Sequence, residues 1–427
     1  MTRFENSATT ELERKRGMVI LFCALLAIGM GQNLFTAILP PIARDLGMTE
    51  VQVSSIFSLS AIIWMLMSPV WGNLSDRIGR KPVIMIGICG FGISTGGFGL
   101  VIYYGMEGLL PLAVLFPLMI SVRAIFGTFG SGTMPAAQAY IADRTTREQR
   151  SSGVARITAS FGVGTIIGPG IAAALITFGI LTPFFAVAAM AFAGAIAVLF
   201  LLPERTKPAG AGKSGKGGGQ KIRFLDKRAL PFVLMSLGLS FAQSIQIQVP
   251  AFYFMDTLGF TTAEAAQYVG VGLMAMAMAG LFSQLVVIQI FNPSVQTLMR
   301  AGAICSAAAF LILVYGGSYS LLVMGLTLSG LGFGLLRPGL AAAASLSVSP
   351  NEQGSVAGVL GSTHAAGHVL MPIIGMPLYK LDPQYPFLVA SALSALAFLF
   401  IILHPKVRSV RAEVDDEESL KVQGTHG

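Results

Sequence analysis

Apolar residues run through this chain in twelve long blocks, each separated from the next by a polar connection. A helix needs roughly 20 apolar residues to cross about 30 Å of hydrocarbon. The blocks at 18–39, 52–72, 83–104, 110–133, 153–178, 181–202, 229–253, 264–290, 298–316, 319–345, 354–379 and 385–404 come close to or exceed that length. The pattern predicts an all-α polytopic membrane protein with twelve transmembrane helices. Glycine and proline inside the blocks fit this reading, because membrane helices tolerate both and glycine lets neighbouring helices approach. The first block, Gly17 to Leu39, is too long for the apolar region of a signal peptide. It also follows a basic stretch, Arg14, Lys15 and Arg16, and lacks a small-residue cleavage site.

Charge adds an orientation. All but four of the 28 lysines and arginines fall on the tails, on every second connection or, as Arg156 and Arg300 do, in the first turn of the block that follows one. Arg44 and Lys380 fall on the other set of connections, and Arg123 and Arg337 lie inside apolar blocks. This positive-inside bias predicts an inner-membrane protein with both termini in the cytoplasm. A pI near 9.5 does not point to nucleic acid here, since the cations sit on loops where anionic lipid headgroups are the nearest partner. Only 11% of residues are charged, against about 25% in soluble domains, and the spans exclude a soluble enzyme. Cys23, Cys89 and Cys305 are scattered through apolar blocks and suggest neither a disulfide framework nor a metal site. No nucleophile–base or metal constellation supports an intramembrane enzyme, and no cofactor is implied.

The organisation reads as a tail (1–17), a six-helix bundle (18–202), a linker (203–228), a second six-helix bundle (229–404) and a tail (405–427). The linker is rich in glycine and lysine, as flexible connectors are. Its Gly212-Lys213-Ser214 lacks the earlier glycine of a phosphate-binding loop, because Lys207 stands there, and no strand precedes it. Pumping must therefore draw on an ion gradient or on another subunit. The halves repeat: Pro135, Glu148-Gln149 and Gly168-Pro169 return at a nearly constant offset as Pro338, Glu352-Gln353 and Met371-Pro372. Two like bundles can rock about a site near the midplane.

Three local patterns are specific. The connection between spans two and three reads Gly72-Asn-Leu-Ser-Asp76-Arg77-Ile-Gly79-Arg80-Lys81. Span four carries Arg123-Ala-Ile-Phe126-Gly127-Thr-Phe-Gly130. Span five carries Gly164-Thr-Ile-Ile-Gly168-Pro169-Gly170. Together with Tyr140, Asp143, Arg144 and Arg150, they resemble the major facilitator superfamily, and within it the twelve-span drug:proton antiporter branch. The resemblance implies two pseudo-symmetric six-helix bundles around a central cavity. It implies a gate in which Gly72, Asp76, Arg77, Gly79 and Arg80 form, with Asp143, a charge cluster that latches one face shut and opens when Asp76 is protonated. The bland alternative is that these charges anchor short loops at the headgroups. Gly168 and Pro169 stand as a hinge or a static kink, with the flanking glycines packing across the domain interface.

Arg123 is the sharpest single residue. A permanent cation within a span costs at least about 2.5–3.5 kcal/mol, so it is expected to face a cavity or a partner. One reading is substrate binding or proton coupling. The other ties span four to span one through hydrogen bonds to backbone or to Gln32 and Asn33. Arg337 either faces the cavity or snorkels toward the nearer membrane surface. Gln32, Asn33 and Phe35 on span one, Phe126 on span four, and Gln243, Gln246, Gln248 and Tyr253 on span seven complete a candidate substrate cavity. Amides with aromatic walls suit an amphipathic organic molecule. The chain departs from the family pattern in having no Asp or Glu in the middle of any span. The proton-coupling candidates are His364 and His368, which spacing places on one helix face, with Asp256 and Glu264 beside the loop between spans seven and eight. The second half departs too: Phe291 to Arg300 lacks the acidic residue of the first-half loop. The resemblance implies proton-coupled export of a small organic molecule by a monomer in lipid. The alternatives are an organic-anion carrier or importer using Arg123 and Arg337, and a non-transporting membrane sensor on the same scaffold.

Overall fold

A computed structural model describes residues 11–145, 147–203, 226, 228–349, 352–404 and 407, without the side chains of 11–14 and 147–151. Most of the linker at 203–228, most of both tails, and the side chains of Glu148, Gln149 and Arg150 lie outside the described residues. Among those described there is no strand.

Among the described residues, twelve helices are long and apolar enough to cross a membrane: span one Lys15–Asp45, two Glu50–Ile78, three Arg80–Met106, four Leu112–Ala142, five Ser152–Phe178, six Thr182–Leu201, seven Leu230–Gln248, eight Thr262–Phe291, nine Val295–Tyr315, ten Tyr319–Leu346, eleven Gln353–Leu381 and twelve Tyr385–Leu403. Several outrun the apolar blocks because the backbone keeps its helical hydrogen bonds past the hydrocarbon, as far as Lys15, Asp45 and Arg77. Span seven stops before its predicted end. Pro250 cannot donate to the helix, and a short helix, Pro250–Leu258, follows Val249. Span eleven has the lowest mean hydropathy of the twelve, 1.2, because serine, threonine, glycine and two histidines share it.

Three spans contain one π-turn each: Phe126–Gly130 in span four, Ser283–Val287 in span eight and Met371–Gly375 in span eleven. Such widened turns are frequent at functional sites. In span eleven the cause is legible, since Pro372 removes a backbone donor.

The chain divides into two compact units. The first comprises Met1–Ser214 with Thr262–Val271, the second Gly215–Thr261 with Gly272–Gly427. In the first unit span one crosses span five at backbone distance: a Cβ on Gly164 would stand 2.3 Å from the Leu26 carbonyl oxygen, and one on Gly168 2.3 Å from that of Met30. Only glycine fits both positions. Buried phenylalanines fill the rest, with Phe35, Phe98 and Phe184 in mutual ring contact. In the second unit Phe310 and Phe387 stack between spans nine and twelve, and Tyr253 meets Phe387 edge-on. Large apolar side chains such as Phe200 and Leu403 stay more than 70% exposed, as lipid-facing positions do.

Candidate functional site

The connection between spans two and three turns at Gly79, whose φ of +102° is open to glycine and strained for other residues. That turn sets Arg80 at the start of span three, and Arg80 is the hub of the charge cluster. Its Nη1 lies 2.6 Å from Asp76 Oδ1 and donates to Ser75 Oγ at 2.6 Å, while its Nε donates to Asp143 Oδ2 at 3.3 Å. The cluster thus joins spans two and three to the end of span four. Asp76 and Asp143 are half-exposed, so each pair alone is worth about 0–1 kcal/mol. Arg77 is exposed. A Cβ on Gly72 would meet nothing within 4 Å, so nothing within this conformation requires glycine there. Beside the cluster, Arg144 stacks on the Tyr140 ring at 3.7 Å, and both side chains donate to the Pro203 carbonyl, at 3.2 and 2.8 Å.

Arg123 is only 3% exposed. It is enclosed by its neighbours in this conformation. Its Cζ sits 4.1 Å from the Phe35 ring centroid and 4.7 Å from that of Phe126. A desolvated cation–π contact gives about 2 kcal/mol or more, enough for two rings to offset much of the cost of a charge in the span. The guanidinium Nε and Nη1 nevertheless have no hydrogen-bond partner. Span four is thus tied to span one by stacking, not by the predicted bonds to Gln32 or Asn33. Asn33 instead donates to the Thr165 carbonyl of span five at 3.0 Å, and Gln32 Oε1 is buried without a partner. Pro169 lies inside a continuous helix. The close approach at Gly168 is made to span one, while Pro169 packs against span eight from the second half of the chain: a Cβ on Gly270 would stand 2.7 Å from the Pro169 carbonyl oxygen.

The second unit holds a polar cluster on spans seven, ten and eleven. Arg337, exposed, donates from Nη1 to Gln243 Oε1 at 3.1 Å, so its head is held toward span seven rather than drawn along its own helix. His364 and His368 meet edge to face with centroids 5.7 Å apart. His368 Nδ1 lies 3.0 Å from Gln248 Nε2, and His364 Nδ1 is buried without a partner. Gln246 and Tyr253 are 2% exposed. Gln246 donates to Ser329 Oγ at 2.7 Å and Tyr253 to the Val314 carbonyl at 3.3 Å. Both are buried in this conformation, and Gln246 Oε1 is left without a partner. Asp256, exposed, accepts from Tyr379 Oη at 2.5 Å, and Glu264 is exposed in the first turn of span eight. Neither lies within the apolar part of a span.

Glu352, read from sequence only as a landmark of the repeat, is the best-bound carboxylate described. Arg228 donates to it twice, from Nη2 to Oε1 at 2.8 Å and from Nη1 to Oε2 at 3.0 Å. The Ser349 hydroxyl and amide add bonds of 2.7 and 3.1 Å. The Arg228 bonds first, then Ser349, pull the carboxyl down to about 2. The second unit thus has its own loop cluster, built on a cation ahead of span seven. The signals were the basic patch ending in Arg228 and the repeated Glu-Gln pair.

These features agree with comparisons to known proteins. The Major Facilitator Superfamily matches residues 21–313 and 294–424. Multidrug resistance protein 1 of Bacillus subtilis is 30% identical over 389 residues, covering 90% of this chain and 93% of that one. Quinolone resistance protein NorA of Staphylococcus aureus is 22% identical over 401 residues, 91% of this chain and 97% of that one. Among solved structures, a mutant of the nucleoside transporter NupG superposes with a TM-score of 0.72 at 15% identity, covering 92% of this chain and 100% of that one. With its twelve helices, the glycine-capped Arg80 loop and an end-to-end likeness to such relatives, this chain belongs to the Major Facilitator Superfamily.

Proposed function

We propose that this chain is a proton-coupled exporter of amphipathic small organic molecules in the inner membrane, with both termini in the cytoplasm and alternating access between its bundles. The observation that carries the reading is the 30% identity to a multidrug resistance protein along nine-tenths of the chain. The intact Asp76–Arg80–Asp143 cluster supports it, since a carrier that exchanges two states needs contacts that differ between them. Gln243 and Arg337 are the polar groups of the second bundle offered to a substrate. With no carboxylate in the middle of any span, His364 and His368 carry the proton. His364 Nδ1 has no bond to lose on protonation. Protonation of His368 at Nδ1 requires the Gln248 amide to turn its oxygen toward the ring, so it moves a side chain on span seven.

A second reading, an organic-anion carrier or importer, is favoured by one observation: Arg337 is exposed on span ten and bonded to a neutral amide. Efflux of cationic dyes from proteoliposomes driven by an imposed pH gradient supports export of amphipathic molecules. Saturable uptake of organic acids, with no dye efflux, selects the second reading.

A further inference from the structure

The surroundings of Arg123 form a closed polar site within the first bundle. Ser94 on span three donates to the Val122 carbonyl on span four at 2.7 Å, so Thr95 and Arg123 are the next residues on two touching helices. Thr95 shares a helix face with Phe91 and Phe98. Phe91 contacts Phe126 at 5.2 Å and Phe98 contacts Phe35 at 5.0 Å, and Phe126 and Phe35 are the two rings that flank the guanidinium. Thr95 is 0% exposed and its hydroxyl has no partner. Gln32 lies one turn before Phe35, next to Gly31, which packs on Phe91. Its buried Oε1 is likewise unpartnered. Three side chains from three spans therefore carry unused polar atoms among the same phenylalanines, which are at most 1% exposed.

We propose that this space is a binding site for a small monovalent anion, held by Arg123 Nε and Nη1 with the Thr95 hydroxyl and the Gln32 amide. A guanidinium keeps its charge, and no aspartate or glutamate stands in the middle of any span to neutralise it. Water would satisfy its N–H groups and leave the charge uncompensated. A hydroxyl donates readily, and a half-turn of the carboxamide presents its NH2 to an anion, so every group named can donate. The carboxylate of a bound substrate is the same chemistry from a second source.

Binding to the purified chain tests this without any transport assay, so the outcome stands apart from the exporter reading. Thermal unfolding is followed while chloride or bromide replaces gluconate at constant ionic strength. A ligand that binds the folded state raises the midpoint with its concentration, so a rise that saturates is expected in the wild type. Arg123→Gln should weaken it at least about tenfold, in line with the loss of charge-assisted bonds, and Thr95→Val several-fold. A saturable response to acetate or benzoate, with none to halide, assigns the site to a substrate carboxylate. No saturable response to either anion class, or one unchanged in Arg123→Gln, overturns the proposal. Should Arg123→Gln not fold, an unchanged half-saturating concentration in both Thr95→Val and Gln32→Ala overturns it equally.

Discussion

The Arg123 guanidinium and the Phe35 ring lie 4.1 Å apart, cation against aromatic face, joining span four to span one inside the first bundle. Phe35→Leu keeps most of the apolar volume and removes this contact. It should destabilise the protein by about 2 kcal/mol, and Phe35→Ala by about 3–5 kcal/mol, as measured by unfolding in detergent. A negligible loss in Phe35→Leu beside a full loss in Phe35→Ala would show that packing alone matters there.

Arg80 reaches Ser75, Asp76 and Asp143 at once because its donors form a fork. Lysine has a single ammonium and cannot hold that geometry. Arg80→Lys should change unfolding free energy by less than about 1 kcal/mol. Transport should fall at least about tenfold, the equivalent of about 1.4 kcal/mol in the balance between states. Parallel losses in stability and transport would make the cluster a structural anchor.

Glu352 gives a pH signature. Its folded-state carboxyl titrates near 2 because of Arg228 and Ser349, whereas an unperturbed glutamate titrates near about 4.3. Its contribution to stability is present above about pH 4.3 and fades as pH falls toward about 2. Glu352→Gln should therefore be less stable than wild type at about pH 7, with the gap closing on acidification through that window. A gap that stays constant from neutral pH to the acid limit would contradict the ion pair.

His364 is tested by the pH profile of transport. With the proton carried by the histidine pair, His364→Ala should shift or flatten the profile between about pH 5 and 8, the range in which histidine normally titrates, while leaving expression intact. A profile that superposes on wild type would return His364 to a packing role.

Much of this architecture is written in the chain. Apolar length suffices to find twelve spans, and the loop from Gly72 to Lys81 announces its own chemistry. What stays hidden depends on which helices meet. Nothing in the sequence pairs Arg123 with Phe35 among 28 phenylalanines, because the pairing is set by the close crossing of spans. Gln243 and Gln246 are both amides on span seven. Only their rotation about the helix axis decides that one meets Arg337 and the other is buried against Ser329. Glu352 looks like an ordinary loop carboxylate until Arg228 is seen beside it.

Transport by the purified protein is the most direct test of the account. In proteoliposomes loaded with a cationic amphipathic dye, an inwardly directed proton gradient across right-side-out carriers should drive dye outward. The flux should vanish when the gradient is collapsed by an ionophore, and in Arg80→Lys it should fall at least about tenfold. Dye flux that is indifferent to the proton gradient, or no flux of any amphipathic molecule, would contradict proton-coupled export.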